Sequence, residues 1–188
     1  MTKKKLGQKT LLYPMPVVIV GANVEGRANF NTIAYCGVAQ SQPPMLSISM
    51  DKKRHTRKGI LENKTFSVNI PSESMTKVTD FIGITSGALI DKSKLFEIFY
   101  GCLKTAPMIE ECPINIECSV VTILDFGGKN DLIVGKIEET YSDERCLSND
   151  IPDIKKVNPI VFTRFDHKYW RVGEYIGQAY KIGEHYQG

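Results

Sequence analysis

The stretch from Cys112 to Tyr141 has the sequence CPINIECSVVTILDFGGKNDLIVGKIEETY and decides the fold class of this protein. Its first half alternates apolar and polar residues, the pattern of a strand with one buried face. A turn at Gly127–Asn130 reverses the chain, and Leu132–Tyr141 returns as the partner strand. The stretch therefore predicts a long antiparallel hairpin. The residues expected to share one face of its first strand are Ile114, Ile116, Cys118, Val120, Thr122 and Leu124.

Strand patterns also lie on both sides of this hairpin. The predicted strands are Pro16–Ala22, Asn29–Cys36, Met45–Met50, Thr65–Ile70, Pro159–Phe162 and Tyr169–Val172. Helical spacing is limited to Arg54–Asn63, with Thr56 as its candidate N-cap, and to Ser72–Ile82. Many short strands, few helices and antiparallel turns favour a closed or partly closed β-barrel over a parallel α/β sheet.

The composition is typical of one globular domain. A chain of 188 residues with 42% hydrophobic and 24% charged residues predicts a single domain over residues 1–188, with 1–10 as a flexible N-terminus. The net charge of +3 is too small to indicate a nucleic acid partner. No window approaches the roughly 20 apolar residues of a membrane span. Five cysteines without a CxxC pair fit reduced thiols, so we expect a cytoplasmic protein with no membrane partner.

Several common site motifs are missing from the sequence. No GxGxxG motif follows a strand and no phosphate-loop GK[ST] motif occurs, which argues against a Rossmann or P-loop nucleotide site. The histidines, His55, His167 and His185, lack HExxH or other close ligand spacing, so no metal site is expected. No GxSxG motif indicates a hydrolase.

The candidate functional segment is Ala28–Thr56, with the sequence ANFNTIAYCGVAQSQPPMLSISMDKKRHT. It carries Asn, Thr and Ser groups and ends in a basic cluster where a helix is expected to begin. A helix N-terminus with positive charge suits a phosphate group. The residues alone leave a second interpretation open, in which the cluster is a solvated basic turn with an ordinary helix cap.

Seven ordered pieces of the chain resemble the flavin reductase-like, FMN-binding split-barrel family, and are most similar to its flavoredoxin group. The pieces are NFNTIAYCG (29–37), QPPMLSISM (42–50), RHTRKGI (54–60), FSVNIP (66–71), SGALIDKSK (86–94), LIVGKIEE (132–139) and KYWRVGEYIGQAYKIG (168–183). The resemblance implies a mainly β fold, a six-stranded antiparallel Greek-key split barrel with short flanking helices. It also implies a homodimer with one FMN per subunit near the dimer interface.

The resemblance further implies which residues bind the phosphate and the ribityl chain. Arg54, His55 and Thr56 would offer positive charge, backbone N–H groups and a hydroxyl to the phosphate. Short polar side chains would meet the ribityl and phosphate oxygens. These side chains are Asn29, Asn31 and Thr32.

Other residues would meet the flavin ring. The Ala34 backbone would bond the ring edge, and Tyr35, where the family commonly has Trp, would contact the isoalloxazine. Lys92 would place a cation near the pyrimidine side, where it would stabilise the anionic reduced flavin. Phe165, or alternatively Phe162, would cover the ring. Ser47 and Ser49 share a strand face and would meet the flavin or face water.

Two classes of function fit this resemblance best. In the first, the protein is an FMN-dependent oxidoreductase that takes electrons from NAD(P)H and passes them to free flavin or another acceptor, with the chemistry on the flavin and no catalytic side chain. In the second, it is a flavoredoxin-like electron carrier reduced by a redox protein without direct NAD(P)H oxidation. A more distant alternative is a non-catalytic flavin-binding sensor or store.

Overall fold

The computed structural model describes residues 2–184 and residue 186, and strands dominate it. The α-helices are α1 His55–Asn63, α2 Thr76–Ile84 and α3 Ile154–Val157, with 3-10 turns at Glu73–Met75, Lys92–Leu95 and Glu144–Cys146. The strands are β1 Met15–Pro16, β2 Val18–Val24, β3 Arg27–Ile33, β4 Cys36–Ser41, β5 Pro44–Asp51, β6 Thr65–Ile70, β7 Ile98–Phe99, β8 Met108–Ile109, β9 Ile114–Asp125, β10 Asn130–Ser142, β11 Leu147–Ser148, β12 Ile151–Pro152, β13 Ile160–Thr163 and β14 Lys168–Arg171. The predicted mainly β class with short flanking helices is confirmed.

The main sheet closes on itself because of how its edges are connected. Seven antiparallel strands lie in the order β3-β2-β6-β9-β10-β5-β4, and only Ala34 and Tyr35 separate the two edge strands along the chain. In a flat sheet these edges would lie about 29 Å apart, whereas the chain from Ile33 to Cys36 spans at most about 11 Å. The sheet therefore curls into a split barrel, as expected. The Ser49 N–H donates to the Tyr35 carbonyl at 2.8 Å, which extends the pairing of β4 with β5 by one residue toward the seam.

The sheet has seven strands, whereas six were expected. The sequence pattern indicated one strand over Asn29–Cys36. In the structure that strand ends at Ile33, and the chain crosses the seam and begins β4 at Cys36. The additional strand pairs with β5 and forms the far edge of the sheet.

The long hairpin differs from the prediction after Val120. Thr122 pairs with Val134 and Val120 pairs with Gly135, so Val121 is an extra residue in β9. Such a bulge moves the following side chains to the opposite face. Ile123 therefore packs against the core, while Leu124 is 40% exposed. The expectation that Leu124 shares the buried face is wrong.

The barrel core lies between the sheet and α1. Its buried members are Val18, Val20, Ala22, Leu46, Ile48, Met50, Ile60, Phe66, Val68, Cys118 and Ile133. The helix backbone lies directly against β2, because a Cβ on Gly59 would come within 2.0 Å of the Asn23 carbonyl oxygen. The cap position of α1 is Arg54, without a side-chain cap bond. The predicted N-cap role of Thr56 is wrong, since Thr56 lies inside the first turn.

A small second sheet joins the two ends of the chain. It has the order β1-β13-β14, and Met15 pairs with Phe162 while Pro16 pairs with Val161. The segment 172–184 that follows β14 contains turns at 178–184 and no strand. Across the described part of the chain, no helix has the length and apolar character needed to cross a membrane.

Candidate functional site

A cleft of about 830 Å³ lies where the barrel seam meets the second sheet and the end of α2. Its apolar wall includes Val17, Ile33, Ile84 and Phe162. A volume of this size with largely apolar walls is typical of small-molecule sites. The predicted site residues that line it are Asn31, Thr32, Ala34, Tyr35, Ser49 and Arg54.

A smaller recess of about 190 Å³ adjoins this cleft at the start of α1. The two spaces share Asn31, Asp51, Arg54 and Ile84, so one ligand can occupy both. The other predicted site residues that line the recess are His55, Thr56 and Lys92.

Thr56 presents a hydroxyl group to the recess. Its Oγ1 accepts a 2.7 Å hydrogen bond from Asn29 Nδ2, and both side chains are buried. Because the oxygen is the acceptor in this bond, the hydroxyl hydrogen remains to be donated to a ligand. Asn29 lines a neighbouring pocket rather than the cleft or the recess, so its contact with the site is through Thr56.

Lys92 brings a buried ammonium group to the recess. The side chain is 2% exposed, and Nζ donates to the Phe30 carbonyl at 2.9 Å and to the Ile82 carbonyl at 2.7 Å. An ammonium group has three N–H donors. The described residues provide acceptors for two of them, which leaves one for a ligand. Burial, and next the charge of Arg54, lower the pKa of Lys92 to about 8.

Arg54 completes the positive end of the site, and His55 lies next to it in the recess. The Arg54 guanidinium donates from Nη1 to the Gly83 carbonyl at 2.9 Å, which fixes it at the end of α2 with further donors available. Burial, and next the charge of Lys58, lower the pKa of His55, so this side chain is neutral at pH 7. The first N–H groups of α1 have no acceptor within the helix, as at any helix start. Together these groups make a recess suited to a phosphate.

The seam supplies the polar edge of the cleft. Thr32 Oγ1 donates to the Thr79 carbonyl at 2.5 Å, and Asn31 Nδ2 donates to the Thr32 carbonyl at 3.3 Å. Ser49 Oγ accepts from Asn130 Nδ2 at 3.1 Å, so its hydroxyl hydrogen is available to a ligand. These bonds fix the side chains that face the cleft.

Besides Asn29, two predicted residues line neither the cleft nor the recess. Phe165 follows the end of β13, is 47% exposed and is not among the residues that line the cleft, while Phe162 is. Ser47 faces a separate cavity, and its Oγ donates to the Gly37 carbonyl at 3.3 Å. Of the histidines considered for a metal, His185 lies outside the described residues. Elsewhere in the described chain, no group of three or more His, Cys, Asp or Glu side chains is arranged to hold a metal.

The sequence analysis did not identify the polar residues on the wall of the cleft that faces the seam. Tyr169 Oη donates to Asp80 Oδ1 at 2.8 Å, and both residues line the cleft. Burial, and next this hydrogen bond, raise the pKa of Tyr169 above its usual value. Arg164 and His167 also line the cleft, and the Arg164 guanidinium lies 5.4 Å from the centre of the Tyr35 ring. No sequence motif marks these residues, because the pairing of β1 with β13 brings them to the cleft.

Comparison with known proteins assigns the chain to a family. The model of the flavin reductase like domain matches residues 10–164, so the chain belongs to the flavin reductase-like family. The chain is 47% identical to the flavoredoxin from Methanosarcina acetivorans, over 98% of each chain with a TM-score of 0.95. It is 34% identical to the flavoredoxin of Desulfovibrio vulgaris (Miyazaki F), over 97% of this chain and 100% of that chain, with a TM-score of 0.91. A curated relative from Aeropyrum pernix is 26% identical over 145 residues, which are 74% of this chain and 55% of the relative.

Proposed function

We propose that this protein binds FMN and passes electrons through it. The observation that carries this proposal is the junction of an 830 Å³ cleft with a cationic recess through Asn31, Asp51, Arg54 and Ile84. A planar ring with one phosphate needs this combination of a largely apolar cleft and a single site rich in donors. The single recess favours FMN over a flavin with two phosphates.

The residues present fit FMN in their chemistry. The Thr56 hydroxyl, the third N–H of Lys92, the Arg54 guanidinium and the α1 N-terminus would hold the phosphate. This places Lys92 at the phosphate in our proposal, because it shares the recess with His55 and Thr56, whereas the resemblance had implied the pyrimidine side. When bound, FMN supplies hydride and single-electron chemistry, and the protein binds and orients it.

The ring end of the cofactor would lie in the larger cleft. Ile84 and Phe162 offer apolar surface there, and Tyr35 offers an aromatic face. The Ala34 backbone and the Ser49 hydroxyl are the polar groups nearest the seam that would bond the ring edge. In this proposal Phe162 takes the role that was expected of Phe165.

The first candidate route for electrons is from NAD(P)H through FMN to an acceptor. It is tested by recording the visible spectrum of FMN-reconstituted protein under argon, before and after addition of NADH or NADPH in separate cuvettes. Rapid bleaching of the flavin band by either nucleotide is the expected result and identifies the donor. A protein that stays colourless after FMN addition and releases no flavin on denaturation would contradict the proposal as a whole.

The second candidate is an electron carrier that a redox protein reduces. The 47% identity with a flavoredoxin over 98% of both chains favours this function specifically. A bound flavin that stays oxidised with NADH and NADPH, yet bleaches with dithionite, would select the carrier over the reductase. The same cuvettes therefore decide between the two candidates.

Assembly and location are also part of the proposal. We propose that residues 1–188 form one domain, that two copies form a homodimer, and that the protein works in the cytoplasm. The cysteines are all unpaired in the structure, which is compatible with a reducing compartment. Light scattering coupled to size-exclusion chromatography tests the dimer, since a monomeric mass at micromolar concentration would contradict it.

A further inference from the structure

A second cavity of about 670 Å³ lies on the other side of Tyr35 from the proposed flavin cleft. Its floor includes Cys36, Gly37 and Ser47 of the β4–β5 hairpin, and its outer wall is the N-terminal segment from Lys9 to Pro16. The two cavities have in common Met15, Ala34, Tyr35 and Ser49. A ligand in the second cavity would therefore lie next to the flavin cleft without occupying it.

The wall of this cavity is held in place by specific contacts. The Phe165 N–H donates to Tyr13 Oη at 3.0 Å, and Met15 pairs with Phe162. Within the wall, Leu12 is 82% exposed although it lines the cavity. Binding of an apolar ligand to this surface is favourable, because the ligand removes the apolar groups from water. The cavity thus presents apolar surface whose wall is anchored at Tyr13 and Met15.

The chemistry of the lining selects a class of ligand. Lys9 is the charged residue among the described residues that line the cavity, and no carboxylate lines it. The side chains of Ser47, Ser49 and Tyr35 provide hydroxyl groups, and the remaining surface is mainly apolar. An aromatic side chain at the boundary favours an aromatic ligand through stacking or edge contacts. The Lys9 ammonium lies 5.4 Å from the centre of the Phe165 ring, and no carboxylate in the cavity lining neutralises it, so it favours an anionic ligand.

We propose that the second cavity is a binding site for a planar aromatic anion, adjacent to the flavin and separated from it by Tyr35. Two kinds of molecule share this chemistry, namely a quinone that carries an acidic group and a free flavin mononucleotide. Apart from the four residues that it shares with the flavin cleft, the lining comes mainly from β4, β5 and the N-terminal segment, so the second cavity can be altered separately.

Gly37 offers a way to fill the second cavity alone. It pairs with Ser47 between β4 and β5, and residues directly opposite in a sheet point to the same face. A Cβ on Gly37 would meet nothing within 4 Å, and Gly37 does not line the flavin cleft. Gly37→Leu therefore places a side chain in the second cavity. Gly173→Leu is the matched control, because a Cβ there also meets nothing within 4 Å and Gly173 lines neither cavity.

The test measures ligand binding by equilibrium dialysis on protein that already holds one flavin per chain. One set of cells contains anthraquinone-2-sulfonate, and another contains FMN in excess of the first equivalent. We expect the wild type to bind one equivalent of at least one probe, Gly37→Leu to bind it at least tenfold more weakly, and Gly173→Leu to match the wild type. If only the sulfonate saturates the site, the ligand belongs to the quinone class. If only a second FMN saturates it, the ligand belongs to the flavin class.

Lys9→Gln gives an independent check that does not change the barrel. It should weaken the sulfonate several-fold and leave the affinity for the uncharged 2-(hydroxymethyl)anthraquinone unchanged. Equal sulfonate affinity in the wild type, Gly37→Leu and Lys9→Gln would overturn the proposal. Loss of the first flavin in Gly37→Leu would also overturn it, since the cavity would then belong to the flavin site. If the wild type binds no flavin at all, the proposed function fails, and the same dialysis on flavin-free protein still decides on the second cavity.

Discussion

Asn29 Nδ2 donates a 2.7 Å hydrogen bond to Thr56 Oγ1, and this bond ties β3 to the first turn of α1. Both side chains are buried, so neither exchanges its partner readily for water. The bond holds the Thr56 oxygen with its lone pair toward β3 and its hydrogen free for the recess. One buried amide thereby orients the hydroxyl that we assign to the phosphate.

Thr56→Val removes this hydroxyl with little change of volume. We expect the affinity for FMN to fall about tenfold, or about 1.4 kcal/mol, because one hydrogen bond to the charged phosphate is lost. The free energy of unfolding of the flavin-free protein should also fall by about 1–3 kcal/mol, because the buried Asn29 amide is left without its partner. Fluorescence titration of FMN and urea unfolding measure the two effects. Thr140→Val, on an exposed position of β10, is the control and should change neither.

Gly87→Ala tests the Asn29–Thr56 hydrogen bond by displacing Asn29 and not Thr56. A Cβ on Gly87 would lie 2.0 Å from Asn29 Oδ1, so we expect the alanine to displace this buried side chain and disturb its bond to Thr56. We expect FMN binding to weaken about tenfold, as for the loss of the Thr56 hydroxyl itself. Isothermal titration with FMN is the measurement. Gly173→Ala, in open space, should bind as the wild type does; equal affinity in both variants would show that the Asn29 position is unimportant.

The sequence indicated most elements whose signals are local. The Glu25-Gly26 turn, the alternation of β5 and the extent of α1 follow from residues that are neighbours in the chain, and all three occur in the structure. The bulge at Val121 was missed because a single inserted residue leaves the sequence equally apolar on both faces. Thr56 was assigned as a cap because its residue type suits that position. The helix begins at His55, two residues before the start that a Thr56 cap would set, so the Thr56 hydroxyl bonds Asn29 instead.

Local sequence signals could not predict the opposite wall of the cleft. Asp80 and Tyr169 are 89 positions apart, and their contact depends on the pairing of β1 with β13. The same pairing explains why Phe162 lines the cleft and Phe165 does not. Phe162 lies within a paired strand, and this pairing determines the face of the sheet on which its side chain lies. Phe165 lies in the turn after Thr163. Tertiary pairing, and not local propensity, therefore decides the opposite wall of the candidate site.

Arg57→Met should destabilise the fold without touching the recess. Arg57 holds the carboxylate of Asp131, which is 1% exposed, through Nε and Nη2 at 2.5 Å each. Removing the guanidinium leaves that carboxylate, within the part of the chain that the structure describes, with Lys52 at 3.9 Å as its remaining ion-pair partner. We expect the free energy of unfolding to fall by about 3 kcal/mol, as when one partner of a buried ion pair is removed. Urea unfolding of the flavin-free protein provides the value.

An exposed ion pair provides the control for Arg57. Arg145 contacts Asp143 at 2.6 Å, but its side chain is 89% exposed. Arg145→Met should therefore change the stability by less than about 0.5 kcal/mol. Adding Asp131→Asn to Arg57→Met should recover part of the loss, because the buried charge is then removed. A loss for Arg57→Met as small as that for Arg145→Met would contradict the assignment.

The affinity for FMN should depend on pH through Lys92. Burial lowers the pKa of Lys92 to about 8, so the flavin-free protein loses this proton at a pH where the phosphate is already fully ionised. A phosphate favours the ammonium form, and binding above pH 8 must therefore take up a proton. The affinity should be constant near pH 7 and should fall above pH 8, by at most about tenfold per pH unit. Burial lowers the pKa of His55 below its usual value, so in the flavin-free protein this side chain titrates below the pH range of the test.

Lys92→Met separates this cause from other effects of alkaline pH. The variant should bind FMN roughly ten- to a hundredfold more weakly at pH 7, as expected for the loss of a charge-assisted hydrogen bond in a buried site. Its affinity should then be flat between pH 7.5 and about 9.5, while that of the wild type falls over the same range. Lys94→Met changes an exposed lysine of the same 3-10 turn and should keep both the affinity and the slope of the wild type. Equilibrium dialysis across this range measures all three proteins. A wild-type slope that persists in Lys92→Met would assign the titration to another group and remove Lys92 from the phosphate site.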